Sequence, residues 1–475
     1  MELDKYNYGT KVLHDFNIVY TKNIMEKVTN RFMKGGFYLS IVNFEKILFF
    51  SLLVSFLIPL SINIRIIELY VWNIPAFLIL LLYTIRLILN PRIRITFDLW
   101  YFSCFVLIGF LFIFTILGIN LDENWPFFAQ FATSIIFAMY VRRIWGDILT
   151  EKLLIKFSII FLFIQSFVGI IQQLTSSQFG NFKSYFGEIV EKEISVLDPT
   201  ISLSRILGTL DQPNIFGNWI IVLFPFVILG LYHKEYYQIN SFYFIAAIIA
   251  IPLSMICLSF TFSVGNIGIF ILLSIAFLTW ILIKKLFSSN LLKSNKATIY
   301  ILCFFLMAIG ITFVKYGDKI ELASKALEFR IEQKGDVKSF GSTSFRMEMN
   351  QSAIKYFFKH PLNGVGYGNS SNIYNQVKST IPAWWEARVH NVYLAILIEG
   401  GLIAMIAYMC YSIIPLVKTL KIKEDKIKYA FLFSLFASLG MIQIYLTPTL
   451  PEFAPLHSLL IGSALGFSNK QGIDE

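Results

Sequence analysis

The run "RVHNVYLAILIEGGLIAMIAY" sets Arg388, His390 and Asn391 at the mouth of an apolar stretch and leaves Glu399 inside it. A histidine with an ordinary pKa of about 6.5 can take a proton from a hydroxyl nucleophile near neutral pH. On a helix, His390 shares a face with Tyr393, Leu394, Leu397 and Gly401. Glu399 is nine residues on, about 13 Å deeper at a rise of about 1.5 Å per residue, and points roughly the other way. The two are therefore not expected to pair. A carboxylate at that depth is costly unless protonated or hydrogen-bonded, so both a structural and a catalytic role stay open. Gly400 and Gly401 beside it suggest close helix contact.

A second chemical segment reads "SRILGTLDQPNIFGNW", with Pro213 suited to the first turn of a helix. Free amides at that helix start, together with Arg205 and Asn214, suit a phosphate. Arg346, Arg388 and Arg205 lie on separate segments and could converge on a polyanion or merely solvate a surface. Gly364, Gly366 and Gly368 form a GxGxG without a preceding strand, which predicts a tight turn rather than a nucleotide fold. Trp384 and Trp385 read as an interfacial anchor. No His, Cys, Asp or Glu set has metal-ligand spacing, and no cofactor is expected.

The elements that position these groups are membrane spans. Of 475 residues, 56% are hydrophobic and 15% charged, more apolar surface than a soluble chain of this length could hide. The net charge of +10 is scattered over short loops with no nucleic-acid motif, so nucleic acid is not an expected partner. Cys104, Cys257, Cys303 and Cys410 all lie in apolar runs, as small buried hydrophobes do. Twelve runs are predicted as transmembrane helices, at 46–64, 70–89, 98–118, 126–141, 153–174, 213–231, 241–259, 263–283, 298–315, 391–415, 429–446 and 454–468. The seventh and eighth form one long stretch, split near "SFTFSVGN".

The fold class expected is an all-α polytopic membrane protein. Lys and Arg gather in the N-terminal arm and in the even-numbered connections, which predicts both termini in the cytoplasm. Residues 1–45 form a cytoplasmic arm, 46–315 carry the first nine spans, 391–468 the last three, and 469–475 a cytoplasmic tail. Two connections, 175–212 and 316–390, are long and face outward. In the second, Phe345, Met349, Ala353, Tyr356 and Phe357 recur at helical spacing until Pro361 ends the pattern.

Taken together, "RVHNVYLAILIEGGLI", "FRMEMNQSAIKYFFKHPLNGVGYGN" and "SRILGTLDQPNIFGNW" resemble the bacterial O-antigen ligase and polymerase superfamily in order and spacing. The likeness covers about 200–410. Two positions depart from the family's pattern: Ser263-Val264 stands where a Ser-Arg pair is frequent, and Ala404 where the ligase-like pattern has Gly, Thr or Tyr. The resemblance implies a metal-independent glycosyltransferase whose donor is a glycan on undecaprenyl diphosphate, working at the outer face of the cytoplasmic membrane. It implies that Arg205 and Arg346 bind the diphosphate, that His390 serves as base, and that Arg388 and Asn391 shape the site. The expected acceptor is a growing glycan, which makes a repeat-unit polymerase in surface-polysaccharide synthesis. A lipid acceptor would make a ligase, and a protein hydroxyl an O-oligosaccharyltransferase. Membrane lipid and other polysaccharide-assembly proteins are the further partners considered. A lipid-linked glycan flippase is the alternative from a different class, but it would place polar groups along a cavity reaching both faces.

Overall fold

The computed structural model describes residues 36–58, 61–64, 67–89, 97–118, 121–175, 179, 194–198, 201–204, 206–210, 212–261, 263–287, 342–362, 364–369, 389, 391–422, 426–442 and 454–472. Twelve helices lie among them: α1 (Gly36–Ser55), α2 (Asn73–Leu89), α3 (Leu99–Leu117), α4 (Leu121–Ile144), α5 (Glu151–Thr175), α6 (Pro213–Tyr232), α7 (Ser241–Phe260), α8 (Val264–Phe287), α9 (Ser342–Lys359), α10 (Val392–Lys421), α11 (Lys426–Ile442) and α12 (Ala454–Lys470). Each expected span meets one of these helices except 298–315, which lies outside the described residues. The remaining helix, α9, is the one expected in the long loop. By length and composition, α3, α5, α6, α7 and α10 can cross a membrane.

Local chemistry sets several boundaries. The Asp98 side chain caps α3 by accepting from the Tyr101 N–H at 3.1 Å, and Asn240 caps α7 by accepting from Tyr243 at 3.1 Å. Pro213 occupies the first turn of α6. The long apolar stretch breaks between Phe260 and Val264, at the point chosen from the sequence. The all-α expectation is amended by two short antiparallel hairpins, β1 (Ser61–Ile64) with β2 (Ile67–Tyr70), and β3 (Ile194–Asp198) with β4 (Ile201–Ser204). Pairing locally satisfies the backbone of connections that are not helical.

The chain divides into two compact units. In the first, residues 1–55 and 72–96, α1 packs on α2 around a buried ion pair between Glu45 and Arg86 at 2.9 Å. Because α1 starts at Gly36, ahead of the apolar run that marks it in the sequence, Glu45 is a mid-helix acid that needs this partner.

The second unit comprises residues 56–71 and 97–475. Its centre is α12, in which every residue from Ala454 to Ser468 is buried, as a helix apolar on all sides must be when protein surrounds it. It lies so close to α4 that a Cβ on Gly466 would stand 2.7 Å from the Arg142 carbonyl. Ser438 of α11 meets His457 of α12 at 2.6 Å. One end of the unit is tied by charge. Arg142 donates two hydrogen bonds to Asp98, at 3.0 and 2.8 Å, and a longer one to Asn469 at 3.4 Å, while Lys418 reaches Asp98 at 2.9 Å. The start of α3 and the ends of α4, α10 and α12 thus share one end. Lys428 donates to the Leu420 and Ile422 carbonyls, and Lys426 lies over the Tyr236 ring, so the end of α6 and the start of α11 join it. The N-termini of α6 and α10 consequently lie away from this end, toward the opposite one.

Burial alone would raise the Asp98 carboxyl, but the hydrogen bonds of Arg142 and Lys418, with the Arg142 charge, outweigh it and hold the group well below the usual carboxylate range. A lowered folded-state pKa means that the cluster stabilises at neutral pH and loses its contribution only as pH falls below the unfolded value of about 3.9. Asp98→Asn is therefore expected to lower stability at pH 7 by about 1–3 kcal/mol, read as a drop in the thermal midpoint of the solubilised protein. The gap to wild type should close only in strong acid; equal midpoints at pH 7 would contradict this account.

Candidate functional site

Helix α10 is not continuous. Gly401 has φ 74° and ψ −179°, a left-handed backbone that separates a first segment, Val392–Gly400, from a second that starts at Leu402. The expectation that Gly401 continues the face of His390 is thereby overturned, because the helical wheel ends at Gly400. A break inside an apolar bundle frees carbonyl and N–H groups that must find partners. The "HPLNGVGYGN" segment supplies them. Val365 N–H donates to the Ile398 carbonyl at 3.0 Å, Gly366 N–H to the Glu399 carbonyl at 3.0 Å, and Leu402 N–H to the Pro361 carbonyl at 3.2 Å. The glycine motif is indeed a turn, and its job is to fill the break. No side chain fits at Gly364, whose Cβ would fall on the Glu399 carbonyl.

The turn is fixed in its own right. Asn369 closes it by donating from its side chain to the Val365 carbonyl at 2.8 Å and from its backbone to Gly366 at 3.2 Å. Tyr367 N–H donates to the Thr115 hydroxyl of α3 at 3.3 Å, and the Tyr367 ring stacks on Phe131 of α4 at 5.2 Å. Glu399 is buried at the end of the first segment, where its carbonyl holds the turn.

Above the break, a small apolar cluster joins three pieces of chain. Ala353 of α9, Val365 of the turn, Val389, and Ala395 and Ile398 of α10 are buried together, with Tyr356, Phe357 and Leu394 packed against them. The loop helix buries the stripe that its periodicity announced, Met349 and Ala353 fully and Tyr356 and Phe357 in part, and it ends at Lys359 just before Pro361. Asn391 is the N-cap of α10, its side-chain oxygen accepting from Leu394 N–H at 3.1 Å. Arg388 and His390 lie outside the described residues, but Val389 between them is in the cluster. Arg346 belongs to α9 two turns before Ala353, and its side chain too lies outside the described part.

The second chemical segment occupies another neighbourhood at the same end. Arg205 lies outside the described residues; the chain from Ile206 to Leu210 is threaded between helices. Gln172 of α5 accepts at one oxygen from Leu207 and Gly208 N–H, both at 3.0 Å, and donates to the carbonyls of Gly208 at 2.5 Å and Phe179 at 2.8 Å. One helical face back, Gln165 accepts from Thr209 N–H at 2.8 Å and donates to its hydroxyl at 2.5 Å. Asn214 sits half-buried in the first turn of α6, and its carbonyl accepts from the Asn266 side chain at 2.8 Å. Gln212, the N-cap residue of α6, makes no side-chain capping bond.

Sequence reasoning missed Gln165, Gln172, Thr115 and Asn369. The signal for the first two was present in "IQSFVGIIQQLT", where two glutamines seven apart share one face of an apolar helix. Among the described residues, no three of His, Cys, Asp and Glu gather as metal ligands would.

Residues 245–409 match the family model described as O-antigen ligase. The match starts in α7, takes in α8, α9, the glycine turn and the cluster, and ends in α10 beyond the break at Gly401. It supports placement in the O-antigen ligase and polymerase superfamily. The Arg205–Asn214 segment lies ahead of the matched region. No curated protein matches the chain.

Gln172→Ala should strand the buried N–H groups of Leu207 and Gly208 and cost about 1–3 kcal/mol in thermal unfolding. Gln173→Ala is the control, since its buried side-chain oxygen makes no hydrogen bond among the described residues. Equal midpoints for the two variants would show that Gln172 does not hold the segment.

Proposed function

We propose that this protein transfers glycan from undecaprenyl diphosphate to a hydroxyl acceptor at the outer face of the bacterial cytoplasmic membrane, with both chain termini inside. The observation that carries the reading is the apolar cluster above the break in α10. It buries Val389 between Arg388 and His390, and it packs α9, the helix of Arg346, against the start of α10. The O-antigen ligase match covers all of these elements.

In the proposed reaction the acceptor oxygen attacks the anomeric carbon of the donor. The bond from that carbon to the diphosphate oxygen breaks, and undecaprenyl diphosphate leaves with the electron pair. His390 takes the acceptor proton and passes it to solvent. Arg346 and Arg205 offset the charge that grows on the leaving diphosphate, with Asn214 contributing from the start of α6. Arg388 orients the glycan, and Asn391, next to His390 in the chain, keeps the first turn of α10 in place. Glu399 and Gly401 belong to the helix break and serve the architecture. No metal or cofactor enters this reaction.

A growing glycan as acceptor makes the protein a repeat-unit polymerase in surface-polysaccharide assembly. The ligase reading has the description of the matching family in its favour. Surface glycan from a deletion strain complemented with wild type, His390→Ala or Arg346→Ala, at matched protein levels, decides between them. Polymerase activity predicts long ladders for wild type and single repeat units for both variants. Polymer left on the lipid in the variants would point to a ligase, and full ladders from both would overturn the site.

A further inference from the structure

The glycine turn does more than fill a gap. It follows α9 directly in the chain and bonds to both sides of the Gly401 break: to Ile398 and Glu399 on the first segment of α10, and to Leu402 on the second. The first segment is a short piece of helix, too short to hold itself straight by its own hydrogen bonds. The second is anchored at the far end through Lys418 and Asp98. We infer that the 361–369 turn is the positioning element of the active site. Through Gly364 and the Pro361–Leu402 bond, it sets the distance between α9, which carries Arg346, and the first segment of α10, which follows His390. This rests on the proposed function, and it adds residues that touch neither donor nor acceptor.

The physical reason is alignment. Transfer needs the base and the diphosphate-binding arginine in register with the reacting atoms at the same moment, and about 1 Å of misplacement can cost about 100-fold in rate. A Cβ at Gly364 cannot be accommodated without moving the turn away from Glu399. At Leu402 a smaller lesion is available. Leu402→Pro deletes the single N–H that bonds to Pro361. It leaves the break intact, because Gly401 is already extended in ψ and proline suits the first position of the segment that follows.

The test uses the full-length protein in nanodiscs, with lipid-linked glycan extracted from the deletion strain as donor and acceptor pool. Wild type, Gly364→Ala, Leu402→Pro and His390→Ala are compared for kcat, for apparent KM and for thermal midpoint. The inference predicts that Leu402→Pro lowers kcat by about 10- to 100-fold, with KM changed less than about two-fold; because Pro361 is exposed, its carbonyl can turn to water and the midpoint stays close to wild type. Gly364→Ala should act in the same direction; if it fails to fold, Leu402→Pro decides. Wild-type kcat in Leu402→Pro beside an inactive His390→Ala would overturn the inference and leave the proposed function standing. A loss of kcat that merely tracks a fall in thermal midpoint would make the turn structural only and overturn it likewise. No transfer by wild type itself would overturn the function, and the inference with it.

Discussion

A carbonyl or N–H group inside an apolar bundle that loses its helical partner costs several kcal/mol unless another protein group replaces it. Gly401 creates that debt in the middle of α10, and the glycine turn settles it from outside the helix. Much of the surrounding architecture follows from this one repair. The turn needs glycine where it approaches Glu399, a hydroxyl from α3 to hold Tyr367, and an aromatic ring from α4 beneath it. The apolar cluster then seals the turn, α9 and Val389 against the first segment of α10.

The opposite end is organised by a different force. There Asp98, Arg142 and Lys418 gather the ends of four helices, and two aromatic rings of α3 lie within cation–π reach of Arg142. Asp98 and Lys418 of this cluster are partly open to water, and besides its contribution to stability the cluster fixes registry along the helices. Holding the helix ends there leaves the other end free to be shaped by loops. Both chemical neighbourhoods lie at that end, one built on α9 and α10, the other on α5 and α6.

How much of this could be read in the sequence depends on the range of the interaction. Apolar length announced most helices, Pro213 marked the start of α6, and helical spacing in "FRMEMNQSAIKYFF" announced α9 with its buried stripe. GxGxG announced a turn. What hydropathy could not tell was whether lipid or protein surrounds a helix: nothing in the apolar run of α12 announced that all of it from Ala454 to Ser468 is enclosed by protein. The break at Gly401 was invisible because the segment that satisfies it, Pro361 to Gly366, lies far upstream in the chain, and a helical wheel presumes an unbroken helix. The Gln165–Thr209 and Trp100–Tyr411 contacts join distant parts of the chain and leave no local pattern. The roles proposed for His390, Arg346, Arg388 and Arg205 rest on motif likeness, and the geometry adds the placement of the chain neighbours Val389, Asn391 and Ile206.

The central claim is that the turn's backbone is bonded into the break, and amide hydrogen exchange of the protein in nanodiscs tests it directly. The amides of Val365, Gly366 and Leu402 should exchange as slowly as those in the interior of α12, since they are bonded within the same packed bundle. If they exchange as fast as exposed loop amides while the rest of α10 stays protected, the turn does not fill the break, and the account built on it fails.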